Sequence, residues 1–440
     1  MSKPLSQVDL IREAFHYQSR FEGSTMVFKV DFPVTEDPLF PYLMKDLALL
    51  AQTGFHVVIV PGAKEWIDAV LREYDIVSSY SGNARITTEA AIPFVEMAAF
   101  HVATRFMTGL AAAHTDAVIG NFVRAQGLGI TGGVDMAHTG AVKKIRIDSI
   151  KRILEQGMIP ILPCIGWSSS GKPYNVPSDE IALAASAALG AVKLFIVSLG
   201  NKLNAESYAI PETVQREESG RIGRLSIQEA GAILEKNWKA PGADRGLEEI
   251  SLALRACRQG VDRVHIINAS EEGAVLRELF SNLGSGTMVY ADEYESIRAL
   301  KNADIQDILR LMEPLMQSGV LIRRSADDIQ EKQADYVVFG IDAQIHACGA
   351  LHEWGDNQGE IAAIATDPLY ADKGLGRRIV RYLIDRAGKL RLRRVFVLTT
   401  HTQDWFESLG FKESTVESLP EKRRKTYDRS RMSKIFALDL

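Results

Sequence analysis

The sequence predicts an α/β protein in which an open, mostly parallel sheet covered by helices is followed by a smaller α+β unit. Three observations carry that prediction. Strand-like and helix-like segments alternate through the first two thirds of the chain. Strand-like segments such as Met26-Val-Phe-Lys-Val and Leu194-Phe-Ile-Val-Ser are apolar almost without a break, as strands covered on both faces are. The chain has 440 residues, more than one hydrophobic core ordinarily serves.

The elements follow in order. Residues 5 to 20 space Val8, Leu10, Ile11, Ala14, Phe15 and Tyr17 as an amphipathic helix does. Next come the Met26 strand, a helix from Leu39 to Gln52, the strand His56-Val-Val-Ile-Val ending at Pro61-Gly62, and a helix from Ala63 to Tyr74. Further strands are expected at Ile159 to Ile165, Leu194 to Ser198 and Val264 to Asn268, with helices from Asp179 to Ala191, Ile227 to Lys236 and Leu247 to Gln259. The alternation closes at Gly286-Thr-Met-Val-Tyr. A new unit opens with an amphipathic helix from Ala303. A meander through Tyr336-Val-Val-Phe-Gly and His346-Ala-Cys-Gly-Ala-Leu leads to a strand headed by Glu360. A glycine loop, a helix from Leu375 to Ala387, the strand Arg394-Val-Phe-Val-Leu-Thr and a helix through Trp405 complete it. The expected division is an N-terminal helix (1–22), a large domain (23–295) and a smaller one (296–440).

Composition excludes several classes. Charged residues make up 24% and apolar ones 46%, and the net charge of −5 comes without a basic tail, so nucleic acid is not an expected partner. The three cysteines, Cys164, Cys257 and Cys348, lie far apart without metal-ligand spacing, which suits a reducing cytoplasm and implies no metal. No signal-peptide core opens the chain and no apolar run reaches membrane-spanning length, so a cytoplasmic protein without a membrane partner is expected.

The most informative stretch is Glu360-Ile-Ala-Ala-Ile-Ala-Thr-Asp-Pro and the Asp372-Lys-Gly-Leu-Gly-Arg-Arg that follows. Gly374, Leu375 and Gly376 fall where a helix begins. Amide N–H groups there lack intrahelical partners and the helix dipole adds positive character, a setting that suits a phosphate. Lys373 and Arg377 add charge. Taken alone, the pattern fits a nucleotide site or a tight turn. It follows a meander instead of a βαβ crossover, which disfavours a dinucleotide fold, and no P-loop signature occurs. Glu360 could serve as a base beside it.

The order of helix, meander, acidic-headed strand, glycine loop, helix, strand and Trp405-Phe-Glu-Ser-Leu-Gly-Phe resembles the GNAT acetyltransferase family. Gly374 and Gly376 match the glycines of its pyrophosphate motif, and Ala371 stands where Gln or Arg is usual. The resemblance implies acetyl-CoA as cosubstrate, with a strand bulge at Ile364, Ala365 and Thr366 holding the pantetheine arm, Glu360 as base and Tyr427 as a possible acid. Gly319-Val-Leu-Ile-Arg-Arg-Ser, Val397-Leu-Thr-Thr-His-Thr-Gln-Asp-Trp-Phe and Leu419-Pro-Glu-Lys-Arg-Arg-Lys-Thr-Tyr resemble the bacterial N-acetylglutamate synthase family. That resemblance implies L-glutamate as acceptor. Its carboxylates would be held by Arg323 and Arg431 with Ser433, and Arg324 and His401 are further candidates. The charged run from Glu421 to Lys425 is expected to be a solvated face.

The first domain resembles the amino acid kinase fold through Gly62-Ala-Lys-Glu-Trp-Ile-Asp, Asn175-Val-Pro-Ser-Asp-Glu-Ile-Ala and Arg263-Val-His-Ile-Ile-Asn. Kinases of that fold carry glycines after the first strand. Here Lys29 is followed by Val30-Asp31-Phe32, and Asp179 stands where an organising aspartate can stand, so no kinase activity is expected. In arginine-sensitive members of this group an N-terminal helix links dimers into a ring. By that resemblance Tyr17, His265, Glu278 and Gly284 would bind L-arginine, and a homo-oligomer, a hexamer, is expected. The alternatives are an arginine-sensing scaffold with a degraded acetyltransferase, or an acetyltransferase for another small amine.

Overall fold

The computed structural model describes residues 18, 21–82, 84–200, 203, 207–214, 216, 220–238, 244–280, 285–291, 295–341, 344–368 and 374–440. The expected helix at 5–20 lies outside these residues apart from Gln18, whose side-chain amide donates to Thr53 O at 2.9 Å. The chain divides by its contacts into two compact units, Leu5–Asp292 and Glu293–Leu440.

In the first unit the apolar runs become strands and the amphipathic runs the helices between them. The order is β1 (Thr25–Val30), α1 (Phe40–Gln52), β2 (His56–Pro61), α2 (Lys64–Glu73), α3 (Ile92–Ala112), β3 (Ala117–Ile119), β4 (Val123–Gly127), β5 (Gly140–Ile145), α4 (Ile147–Glu155) and β6 (Ile159–Ile161). There follow β7 (Ile165–Trp167), β8 (Pro173–Asn175), α5 (Ser178–Leu189), β9 (Lys193–Ser198), β10 (Arg224–Ser226), α6 (Ile227–Asn237), α7 (Arg245–Arg258), β11 (Arg263–Asn268), α8 (Ala274–Phe280) and β12 (Thr287–Tyr290). Eight strands form one sheet in the order β10-β12-β11-β9-β1-β2-β6-β3. All neighbours in it run parallel except β11 and β12. Alternation along β1 sends Met26, Phe28 and Val30 into a core shared with α1 and α3, and Val27 into another shared with α5 and α7. The near-continuous apolar strands therefore have the two covered faces they predicted.

One expected strand is corrected. Residues 159 to 165 do not form a single element: β6 belongs to the large sheet, and β7 to a second, four-stranded sheet, β8-β7-β4-β5. Pro163 stands between them, where the chain leaves one sheet for the other.

The second unit consists of β13 (Glu295–Ala299), α9 (Ile305–Gln317), α10 (Ala326–Glu331), β14 (Tyr336–Ile341), β15 (Gln344–Gly355), β16 (Gln358–Thr366), α11 (Leu375–Lys389), β17 (Arg394–Thr399), α12 (Gln403–Glu407), β18 (Lys412–Ser414), α13 (Glu421–Lys425) and β19 (Lys434–Asp439). They build a seven-stranded sheet, β13-β14-β15-β16-β17-β19-β18. β14, β15 and β16 are the expected antiparallel meander, and β13, a strand not expected from the sequence, pairs antiparallel with β14. One face packs on α11 through Ile379, Val380 and Leu383, and the other on α9 through Ile308 and Met312. Among the described residues of the chain, no helix is long and apolar enough to cross a membrane, and no cluster of His, Cys, Asp and Glu could hold a metal ion.

Candidate functional site

The second unit contains a wedge. β16 and β17 are parallel neighbours, yet they register only over Gln358↔Arg394, Gly359↔Val395 and Glu360↔Phe396. Both strands continue past that point, β16 to Thr366 and β17 to Thr399, without pairing with each other. On its other side β16 slips against β15. Ala362 pairs with Ala350 and Ala365 with Cys348, so Ala363 and Ile364 together face one residue of β15. Ala363 has φ +54°, a left-handed conformation rare for a residue with a Cβ, and marks the bulge. The bulge thus begins one residue before the Ile364–Ala365–Thr366 run picked out in the sequence. Cys348 lies beneath it, with Sγ 3.5 Å from Ala363 O, and burial pushes its thiol up to about 12.

Across the mouth of the wedge, α11 begins. Gly374 caps it at φ +68° and has no side chain to bond the N–H groups of the first turn. Gly376 is placed by close approach: a Cβ there would come within 3.3 Å of the Trp405 ring and 3.5 Å of Thr366 Cγ2. Leu375 is buried in the core and Arg377 is exposed, its Nη2 3.5 Å from Ser408 Oγ. Ala371 and Lys373 lie outside the described residues.

Glu360 stands where the two strands part, and it is buried. Its carboxylate accepts a fork from Arg423: Nε donates to Oε2 at 2.7 Å and Nη2 to Oε1 at 3.1 Å. The reading of 421–425 as a solvated face holds for four of its five residues and fails at Arg423. Glu421 and Lys425 are exposed and pair with each other at 2.7 Å, but Arg423 is 7% exposed, with its guanidinium over the Trp354 ring at 5.3 Å. Sequence reasoning missed this residue. The one signal was spacing: Leu419, Arg423 and Tyr427 recur every fourth residue, and the first two are buried.

Two of the remaining candidates tie segments together. Tyr427 donates its O–H to Ser433 O at 2.7 Å, so the candidate acid already has an acceptor. Arg431 Nη2 donates to Gly319 O at 2.8 Å and Val320 O at 3.3 Å, tying the C-terminal segment to the loop that carries Arg323 and Arg324. Arg323 is exposed. Arg324 donates to Ile322 O at 3.0 Å and lies beside Tyr336, whose phenol burial raises above its usual value against the opposing effect of that guanidinium. His401 is exposed just beyond β17, with Nδ1 2.7 Å from Thr400 Oγ1.

In the first unit, a cavity of about 260 Å³ opens beyond the C-terminal ends of β1 and β2, lined by Lys29, Asp31, Gly62, Lys64, Asp179 and Arg245 among others. Four of these charges, Lys29, Asp31, Asp179 and Arg245, satisfy one another. Lys29 Nζ lies 2.5 Å from Asp31 Oδ1 and 3.0 Å from Asp179 Oδ1, and Arg245 bonds the other oxygen of Asp31. Burial works against the Lys29 ammonium, but Asp179 and Asp31 outweigh it and hold the group above its usual value. Asp31 thus sits as an internal anion where the kinase fold carries glycines, and Arg245 is a partner the sequence did not reveal.

Also in this unit, His265 of β11 and Glu278 of α8 are brought together. His265 Nδ1 is 2.6 Å from Glu278 Oε1, while Oε2 accepts N–H bonds from Ser285 at 2.6 Å and Gly286 at 2.8 Å. Burial opposes ionisation of Glu278, yet His265 and the two amides prevail and bring its carboxyl down to about 2. With three acceptor positions used, the carboxylate is built into the fold, which differs from the free partner for a guanidinium expected from sequence. Tyr17 and Gly284 lie outside the described residues.

Comparison with known proteins assigns both units. The amino acid kinase family matches residues 34–268 and the acetyltransferase (GNAT) family residues 305–411. An amino-acid acetyltransferase of Salmonella typhimurium is 32% identical over 444 aligned residues, covering 98% of each chain. The chain belongs to the amino-acid acetyltransferase family. Like its other members it is an acyltransferase. The relative from Photobacterium profundum is 33% identical, with 97% of each chain covered. The structure is similar to that of N-acetylglutamate synthase from Neisseria gonorrhoeae complexed with coenzyme A and L-arginine, with TM-score 0.84, 29% identity, and 99% of this chain and 100% of that one covered. A second structure of that synthase, complexed with coenzyme A and N-acetyl-glutamate, gives a TM-score of 0.59 at 31% identity over the same shares of the two chains.

Proposed function

We propose that the chain transfers the acetyl group of acetyl-CoA to the α-amino group of L-glutamate. The observation that carries this reading is the wedge: two parallel strands part at a buried carboxylate, facing a helix start that carries Gly374 and Gly376. The synthase from N. gonorrhoeae, whose structures contain coenzyme A and N-acetyl-glutamate, supports the choice of donor and product class.

The amide groups of the bulge at Ala363 and Ile364 would take the donor's pantetheine arm, and the first turn of α11 its pyrophosphate. Arg323 and Arg431 would hold the acceptor's carboxylates, since Arg431 keeps N–H groups beyond those given to Gly319 and Val320. Glu360 removes one proton from the ammonium, directly or through a water. The amine nitrogen attacks the thioester carbon, the new C–N bond forms and the C–S bond breaks. The second amine proton passes to the departing thiolate. Tyr427 could return it only by giving up Ser433 O. The protonated Cys348 thiol favours direct transfer over an acyl-cysteine route.

The first unit binds L-arginine near the His265–Glu278 pair in this reading. It transfers no phosphoryl group, because Asp31 fills the position of the missing glycines. The subunits assemble as a homo-oligomer. The test is release of CoA thiol from acetyl-CoA with L-glutamate and with a panel of other amino acids and amines, each with and without L-arginine. Release with L-glutamate that falls roughly a hundredfold or more in Glu360→Gln is expected. No release with L-glutamate, or faster release with another amine, overturns the substrate assignment.

A further inference from the structure

A buried arginine on a five-residue helix of otherwise exposed charge needs an explanation. Glu421, Lys422, Arg424 and Lys425 are all exposed, whereas Arg423 is turned inward. Its N–H groups are used with little left over. Two go to Glu360, and Nη1 lies 3.3 Å from both Thr426 O and Thr426 Oγ1. Trp354 covers its face. Taking a guanidinium out of water costs free energy that its partner must offset, so such pairs are weak devices for stability and better ones for geometry.

The ladder fixes the backbone of Glu360 but leaves its carboxylate to be oriented by side chains. Glu360 is the third residue of β16, in register with His352 of β15 and Phe396 of β17, and it is the last residue of β16 that pairs with β17. The groups facing it come from three elements. β17 supplies the apolar Phe396. β15 supplies His352, in register with Glu360, whose Nδ1 is 2.6 Å from Asp335 Oδ2. α13 supplies Arg423. Among the described residues, Arg423 bonds the Glu360 carboxylate through both of its oxygens. A carboxylate has about four acceptor positions, and the fork takes two of them, leaving one on each oxygen.

We infer that Arg423 is the positioning residue of the acetyl transfer: it clamps the Glu360 carboxylate in the one orientation in which a remaining lone pair receives the acceptor amine's proton. Arg423 neither touches the acceptor nor gains or loses a proton. The inference rests on the reading of Glu360 as base.

A double-mutant cycle on the full chain tests it, with steady-state kinetics of CoA release. Arg423→Gln is expected to lower kcat roughly a hundredfold, the scale on which small misplacement acts, with KM for acetyl-CoA changed by less than about twofold. Arg423→Lys, which keeps a charge without the fork, recovers part of kcat. On a Glu360→Gln background, Arg423→Gln costs less than about threefold, because there is no base left to position. Equal loss on both backgrounds makes Arg423 a structural residue and overturns the inference, as does unchanged kcat in Arg423→Gln. If that variant does not fold, Arg423→Lys on the two backgrounds decides by the same criterion. Full activity of Glu360→Gln by itself removes the base reading and the inference with it, an outcome the cycle separates from failure of Arg423 alone.

Discussion

Asp31→Asn is the perturbation that most directly tests how the first unit is held together. The substitution keeps the shape and removes the charge. In the native chain the Asp31 side chain is 13% exposed and bonds both Lys29 and Arg245. Lys29 is 7% exposed and would be left with Asp179 alone, at 3.0 Å. Removing one partner of a buried pair costs about 3–5 kcal/mol, because the surviving charge stays desolvated. Arg245 adds less, since it is more open and retains Glu249 at 3.3 Å. For a unit of this size each kcal/mol is worth ~2 °C in Tm, so a fall of about 6–10 °C is expected in the first unit's transition. Circular dichroism of the full chain, with the mutant and wild-type melts compared at neutral pH and equal salt, measures it. A fall of less than about 2 °C would mean that the cluster is solvated in solution and that Asp31 is not the anion around which it is built.

Two further predictions concern binding and acid stability. Gly376→Ala brings a methyl to 3.3 Å from Trp405, so KM for acetyl-CoA should rise roughly tenfold. Tm should hold or rise slightly, because Ala is the better helix former by about 1 kcal/mol; a fall in Tm with KM unchanged would place the constraint in packing. The Glu278 carboxyl is depressed from 4.5 to about 2, so its contribution to stability is complete above pH 4.5 and is lost as pH falls towards 2. Glu278→Gln should therefore melt several degrees lower than wild type at pH 7, with the gap closing between pH 4.5 and 2. A gap that stays constant over that range would assign the loss to shape.

The parts of the site that read well from sequence are the local ones. A glycine at a helix start and a carboxylate at a strand start announce themselves within a few residues, and Glu360, Gly374 and Gly376 lie where their spacing implied. Partnerships across the chain did not read. Arg423 is 63 positions from Glu360, inside a run whose composition signals solvent, and Arg245 is 214 positions from Asp31. Helix α3, 21 residues long, was not anticipated, because it is apolar around much of its circumference and shows little of the periodic contrast that marks a surface helix. Within the four-stranded sheet, β7 and β8 are three residues each, too short for alternation to emerge.

The parting of β16 and β17 also bears on what kind of molecule the second unit can receive. An unpaired rim at the border of a sheet is open to any extended chain, including another copy of the protein. Here the unpaired rims lie between interior strands, with β15 on one side and β19 on the other. A slender guest bearing amides can enter and satisfy them as a short surrogate strand does. A polypeptide with side chains on both faces meets α9 and α11 first. The sheet is thereby hospitable to a small donor and closed to self-association through the same hydrogen bonds.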